Sequence, residues 1–197
     1  MKRIGIYGGS FSPPHNGHIE AVNSFQKAMM LDKVLVIPTY IAPHKQNAAT
    51  ASAEHRLAMT SLAFKDLDFV TVSDYEIAKK DVSYTANTLT HFEKDGELYF
   101  LCGSDMFLSM DRWYRPDIIF QKATIVLASR DASLNEACFL KRKEYEKKFS
   151  ARIEILQNPV KKLSSTDVRN ALKNQQDVSA YLPKPVENYV KAWHLYE

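Results

Sequence analysis

The sequence predicts an α/β protein built on a doubly wound parallel sheet, with helices on both faces and a small C-terminal helical part at about 164–197. Two observations carry this. Strand-like and helix-like stretches alternate along the chain, the pattern of a parallel sheet covered on both sides. The runs Val34-Leu35-Val36-Ile37, Leu98-Tyr99-Phe100-Leu101-Cys102 and Thr124-Ile125-Val126-Leu127-Ala128 are continuously apolar, as strands buried on both faces are.

The chain has 197 residues, which suits one domain spanning 1–197. Hydrophobic residues make up 45% and charged residues 25%, enough for a full core. The formal net charge of +3, from 26 basic and 23 acidic residues, is too mild for a nucleic-acid binder and suits a protein that handles small anions. Cys102 and Cys138 have no paired spacing and read as reduced thiols of a cytoplasmic protein. Met1-Lys2-Arg3 leads straight into a strand, with no signal-peptide core. No apolar run approaches the roughly 18 residues that span a bilayer. Neither a repeat nor a low-complexity segment is present.

The first strand is Ile4-Gly5-Ile6-Tyr7, followed by Gly8-Gly9-Ser10-Phe11-Ser12-Pro13-Pro14-His15-Asn16-Gly17-His18. Gly8 and Gly9 predict a tight turn that lets backbone approach a ligand. Pro13 and Pro14 fix φ, so the loop keeps its shape. Asn16 is placed to cap the next helix, and Gly17 leaves its entrance open. Such an entrance carries N–H groups and the positive end of the macrodipole, which attract phosphate. His15 and His18 are three apart and share one side of a first turn, where both imidazoles can donate to an oxyanion. Zinc fits them less well, because no further ligand stands at short spacing and the two cysteines are far apart.

Residues 17–30 predict a helix with Ile19, Val22, Phe25 and Met29 as its buried stripe. A second strand covers 33–38, and the loop after it carries Pro43-His44-Lys45. Loops at that end of a strand bind ligands in open α/β sheets, so Lys45 is either an exposed lysine or a mobile charge for a polyphosphate. Ser52 caps a helix to about Phe64, with Leu57, Leu62 and Ala63 inward. Arg56 reads as a surface residue or a structural ion-pair partner. A short strand covers 69–72. Ser83 is expected to cap the helix that holds Thr85, Leu89 and Phe92, the last two pointing inward.

The central strand at 98–102 ends in Gly103-Ser104-Asp105, where the carboxylate either caps a helix or accepts from a nucleotide. Trp113 is a core residue or a stacking partner for an aromatic ring, and Pro116 opens a short helix. Arg130 follows the strand at 124–129 and suits either an anion or a surface ion pair. Residues 133–149 form a highly charged helix whose mixed signs read as a solvated face. The last strand is 152–156. Ser164 or Ser165 caps a helix on which Arg169 lies one turn along, able to reach back to an anion at the cap. Val186, Tyr189, Val190 and Trp193 mark a final helix packed on the domain.

Gly8-Gly9-Ser10-Phe11 followed by Pro14-His15-Asn16-Gly17-His18 resembles the signature of the nucleotidyltransferase superfamily with an H-x-G-H motif. The doubled proline and the later motifs are most similar to bacterial nicotinate-nucleotide adenylyltransferases. The resemblance runs from Arg3 to about Tyr189 and implies a Rossmann-like fold. It implies transfer of the adenylyl group of ATP to nicotinate mononucleotide, giving nicotinate adenine dinucleotide and diphosphate, in NAD biosynthesis. Mg2+ would arrive with the ATP, and no protein-held metal site is implied.

Carried onto this sequence, the resemblance gives ATP contacts to Gly8, Gly9, Ser10, Phe11, His15 and His18 in the opening loop. It gives further ATP contacts to Gly103, Asp105, Ser165, Thr166 and Arg169. Nicotinate mononucleotide falls to Ser10, Lys45, Thr85, Trp113, Tyr114 and Arg130. The catalytic charge work falls to His15, His18, Lys45 and Arg169. Two positions depart from the family pattern: Ser12 and Asn87 stand where relatives often carry aspartate. The rival acceptors are nicotinamide mononucleotide and phosphopantetheine, and a rival of another class is a non-catalytic nucleotide sensor. The expected partners are the two nucleotide substrates, with no nucleic acid and no membrane, and a homo-oligomer remains open.

Overall fold

A computed structural model describes residues 1–43, 51–128, 135–156 and 163–196. Six strands, β1 (Arg3–Gly9), β2 (Lys33–Pro38), β3 (Val70–Val72), β4 (Glu97–Gly103), β5 (Ala123–Ala128) and β6 (Ile153–Ile155), form one parallel sheet in the order β3-β2-β1-β4-β5-β6. The helices are α1 (Asn16–Met29), α2 (Ala53–Phe64), α3 (Tyr75–Lys79), α4 (Thr85–Phe92), α5 (Ser104–Phe107), α6 (Pro116–Lys122), α7 (Asn135–Phe149), α8 (Ser165–Lys173) and α9 (Lys184–Ala192). From β1 the chain first winds toward β3, then restarts at β4 and winds toward β6. This order, which reverses at β1/β4, is that of the doubly wound Rossmann-like fold read from the sequence.

The strands pair as their apolar runs require. β1 lies beside β4 with Arg3 opposite Glu97 and Ile6 opposite Phe100. β4 lies beside β5 with Leu98 opposite Ala123, and β5 beside β6 with Ile125 opposite Ile153. Every residue of β5, and all of β2 after Lys33, is buried.

Contacts divide the chain into two compact units. The first holds Met1–Tyr7, Ala21–Leu35 and Tyr84–Lys161. Its core includes Ile4, Phe25, Leu98, Phe107, Ile119, Phe120 and Tyr145. The Tyr145 hydroxyl donates to the Phe107 carbonyl at 2.9 Å and lies 3.1 Å from the Asp111 carboxylate, which Lys141 also meets at 2.9 Å. On α7, Arg142 pairs with Glu146 and Lys141 with Glu144, the mixed ion pairs its charge pattern suggested.

The second unit holds Gly8–Glu20, Val36–Ser83 and Lys162–Glu197. Its buried apolar residues include Phe11, Val36, Ile37, Met59, Phe64, Val168, Leu182, Val186 and Val190. Helices α2 and α9 pack together here. Ser52 caps α2 as expected, accepting from the His55 N–H at 3.3 Å.

Four local expectations are corrected. Ser83 does not cap α4. Its hydroxyl accepts from the Tyr40 N–H at 3.0 Å, its own N–H donates to the Ile41 carbonyl, and Tyr84 stands at the cap position. Asn16 is the first residue of α1, and its amide donates to the Ala180 carbonyl at 3.0 Å. Gly8 and Gly9 are extended residues of β1, not a turn, and no described glycine has a positive φ. Leu57 and Leu62 are only partly buried, because Arg56, Met59, Thr60 and Ala63 take the inward face of α2.

Candidate active site

The second unit carries the opening loop. The left-handed residue of that loop is Phe11, with φ 47°, and its buried ring lies over Gly9, where a Cβ would stand 3.1 Å from Phe11 Cζ. A side chain at this point would press on the ring, which glycine avoids. The chain then passes through a cis Ser12-Pro13 bond to the histidines.

His15 and His18 stack, with ring centroids 3.6 Å apart and planes 23° apart. The His15 ring also lies on Gly17, where a Cβ would come within 3.1 Å of its Nδ1. The His15 backbone N–H donates to His18 Nδ1 at 3.0 Å, and the His15 carbonyl accepts from the His18 N–H at 2.9 Å. The pair closes the start of α1: the His18 ring serves the His15 N–H as the N3 side chain of a capping box does, and the second bond is backbone to backbone. An accepting Nδ1 carries no proton, so the donor that His18 offers is Nε2–H.

The structure thus separates two histidines that the sequence treats alike. His15 is 1% exposed and supports the ring of His18, which is half-buried. The Asn16 N–H is held by the Tyr181 carbonyl at 2.8 Å. The N–H groups of His15, Asn16 and His18 at this helix entrance are therefore already engaged by protein.

Helix α8 meets the same loop. Ser164, not Ser165, is its cap: Ser164 Oγ accepts from the Asp167 N–H at 3.1 Å, while the Asp167 carboxylate accepts from the Ser164 N–H at 3.0 Å. Ser165 is left to donate to the Pro13 carbonyl at 2.9 Å. Arg169 donates through Nη1 to the Ser12 carbonyl at 2.7 Å and through Nη2 to Thr166 Oγ1 at 3.1 Å. His18, Thr166 and Arg169 are accordingly gathered around residues 12–18, held there in part by the Ser165 hydroxyl, and imidazole with guanidinium can hold an oxyanion.

Arg56 is neither a surface residue nor, among the described residues, an ion-pair partner. It is 4% exposed and donates to the carbonyls of Ala51, Ser10 and Tyr40 at 3.2, 3.0 and 3.1 Å. Burial pulls its guanidinium down from the ordinary range. Arginine keeps its proton even so, and here it fastens the loop of Ser10 to the start of α2.

The first unit carries the other expected residues. Thr85 is the first residue of α4, whose opening N–H groups have no partner within the helix. Gly103 caps α5, and Asp105 is exposed on its first turn with Oδ1 close over Gly103. Trp113 is a core residue: it is 9% exposed, its ring meets Phe100 edge-on, and its indole N–H donates to Ser109 Oγ at 3.2 Å. Its backbone N–H is held by the Met110 carbonyl at 3.2 Å. Tyr114 is instead 51% exposed, and its ring lies 4.5 Å from that of Tyr84. Lys45 and Arg130 lie outside the described residues.

Among the described residues no group of three or more His, Cys, Asp or Glu side chains could hold a metal ion. No described helix is long and apolar enough to cross a membrane. Cys102 and Cys138 are free and buried.

Residues 6–171 match the family described as cytidylyltransferase-like. A Clostridium botulinum (strain Alaska E43 / Type E3) protein named "Probable nicotinate-nucleotide adenylyltransferase" is 37% identical, over 100% of this chain and 99% of its own length. A Staphylococcus haemolyticus protein of the same name is 31% identical, over 100% and 97%. This chain belongs to the cytidylyltransferase-like family, among the nicotinate-nucleotide adenylyltransferases. The solved Plasmodium falciparum nicotinic acid mononucleotide adenylyltransferase complexed with NaAD shares the fold, with a TM-score of 0.80, 18% identity and coverage of 100% of this chain and 98% of that one.

For a member of this family, three features of the chain were not read from its sequence. Arg56 is a buried clasp. Ser12 is 1% exposed, and its hydroxyl accepts from the Ala51 N–H at 3.2 Å. Tyr196 brings its hydroxyl to 2.9 Å from Ser12 Oγ. Helical spacing could have marked Arg56 as inward-facing, since it stands three before Met59 and four before Thr60. No local pattern marks Tyr196.

Proposed function

We propose that this protein transfers the adenylyl group of ATP to nicotinate mononucleotide, releasing diphosphate, and so makes nicotinate adenine dinucleotide for NAD biosynthesis. The observation that carries the chemistry is the stacked His15–His18 pair with Arg169 and Ser165 docked on the carbonyls of Ser12 and Pro13. The acceptor is supported by the names of the full-length relatives.

In this reaction a 5′-phosphate oxygen of the mononucleotide attacks the α-phosphorus of ATP. A new P–O bond forms, the bond to the bridging α–β oxygen breaks, and that oxygen leaves with the diphosphate. The attacking phosphate is already ionised at neutral pH, so the protein supplies alignment and charge stabilisation. His18 donates Nε2–H to the oxygens on which charge develops, His15 holds its ring, and Arg169 with Ser165 and Thr166 takes the phosphate chain. Gly8, Gly9, Ser10 and Phe11 would shape the nucleotide's seat, and Gly103 and Asp105 its sugar or base contacts. Thr85 and the exposed Tyr114 are assigned to the mononucleotide, and Trp113 acts through packing. Lys45 is assigned to a substrate phosphate from its loop after β2 and the family resemblance, and Arg130 to a substrate anion from its guanidinium after β5.

Mg2+ brought with the ATP would supply charge neutralisation on its phosphates. The donor set here is imidazole, guanidinium and hydroxyl, which suits an ion held by phosphate oxygens and water. The chain is taken to act as a single nucleotidyltransferase domain in the cytoplasm, without nucleic-acid or membrane partners.

The test is diphosphate release with ATP, Mg2+ and one acceptor at a time. Release with nicotinate mononucleotide, and far less with nicotinamide mononucleotide or phosphopantetheine, is expected. Equal release with both mononucleotides would refute selectivity for the acid, and no release with any acceptor would refute the reaction.

A further inference from the structure

The segment after α9 reaches the phosphate loop, and its route is set by a helix cap. Ala192 is the last residue of α9, and His194 follows with φ 49°. The His194 N–H donates to the Lys191 carbonyl at 3.3 Å and the Leu195 N–H to the Val190 carbonyl at 3.0 Å. These are the two bonds of a Schellman motif, with a left-handed residue where the chain reverses. Tyr196 is left-handed as well, with φ 70°. A non-glycine residue held in that region is strained unless its surroundings fix it. The half-buried Tyr196 side chain is tied by its hydroxyl, which lies 2.9 Å from Ser12 Oγ.

Ser12 is the meeting point of four segments. Its carbonyl receives Arg169, its hydroxyl accepts from Ala51 at the entry to α2, and the same hydroxyl meets Tyr196. One serine oxygen can accept two hydrogen bonds and donate one, so the hydroxyl can serve Ala51 and Tyr196 at once. The cations Arg169 and Arg56 both lie close enough to Tyr196 to act on its charge. A neutral phenol suits this place: it joins Ser12 without adding an anion beside the guanidinium that must meet phosphate.

We propose that Tyr196 is a positioning residue for ATP: by holding Ser12 it fixes the carbonyl that orients Arg169, and so sets the affinity for the nucleotide's phosphates. The inference rests on the adenylyl-transfer reading for its consequence in turnover, but its first consequence is for ATP binding alone.

The test is calorimetric ATP affinity, with Mg2+, for the wild type, Y196F, S12A and the double variant, together with their melting temperatures. Y196F is expected to weaken ATP binding about fivefold, the scale of one hydrogen bond. Its melting temperature should stay within about 3 °C of the wild type, the shift of roughly 1 kcal/mol in a chain this long. In the double variant the Tyr196 substitution should have little left to remove, so the two losses should not add. In the diphosphate assay, Y196F should raise KM for ATP by the same factor and leave KM for nicotinate mononucleotide unchanged. Unaltered ATP affinity in Y196F, additive losses, or equal rises in both KM values alongside a large drop in melting temperature would each overturn the proposal. Wild-type protein that binds ATP but releases no diphosphate would refute the reaction instead, while the calorimetry would still decide the role of Tyr196.

Discussion

The backbone N–H of His15 donates to Nδ1 of His18 at 3.0 Å, and this contact decides which nitrogen His18 presents. Nδ1 is occupied as an acceptor, so the ring donates through Nε2. In the proposed reaction that Nε2–H would stabilise the charge that develops in the transition state. The variant H18A should lower kcat about 10²- to 10³-fold, as removal of one oxyanion donor does, with little change in KM for the mononucleotide. It should also melt slightly earlier, because the His15 N–H loses its side-chain acceptor at the start of α1. Steady-state kinetics beside a thermal melt would separate the two effects, and an unchanged kcat would remove His18 from the chemistry.

Arg169 uses both terminal nitrogens, one on the Ser12 carbonyl and one on Thr166 Oγ1. Lysine keeps the charge and loses the fork. R169K is therefore expected to recover only part of the ATP affinity that R169A loses. Full recovery by lysine, read as KM for ATP, would mean that only the charge matters.

Arg56 satisfies three carbonyls in a buried place. In R56M those carbonyls lose their donors at roughly 1 kcal/mol or more each, so a total loss of about 3 kcal/mol is expected. Denaturant unfolding would measure it. A loss under about 1 kcal/mol would show that the clasp is replaceable by water.

Burial pushes the Tyr196 phenol up to about 12, against the downward pull of its Ser12 hydrogen bond and of Arg169 and Arg56. In the unfolded chain the phenol ionises near pH 10. Between these values the folded state binds more protons than the unfolded state, so stability falls as pH rises there. This contribution is complete below pH 10 and gone above about pH 12. Melting curves of Y196F should therefore fall less steeply than the wild type over that window. Parallel curves would contradict the buried phenol.

The sheet was legible because buried parallel strands announce themselves as unbroken apolar runs, as at Val34–Ile37 and Leu98–Cys102. The helix starts at Ser52 and Pro116 were legible because their determinants are local. Asn16 and Ser83 carry equally good local signals, yet both side chains serve distant backbone: Asn16 bonds Ala180, and Ser83 bonds Tyr40. A side chain engaged by such a distant partner is no longer available to cap the helix beside it. The same limit hid the site's supports. His15 and His18 look equivalent in sequence, and only packing against Gly17 makes one the platform of the other. Trp113 and Tyr114 are adjacent, yet Phe100 and Ser109 take the first inward and leave the second exposed.

The most direct test of adenylyl transfer follows the phosphorus atoms. ATP labelled at the α-phosphate, and separately at the γ-phosphate, is turned over with nicotinate mononucleotide and Mg2+, and the products are separated. Attack at the α-phosphorus predicts that the α label appears in the dinucleotide and the γ label in diphosphate. Label from the γ position in the acceptor product, or from the α position in free ADP, would contradict it.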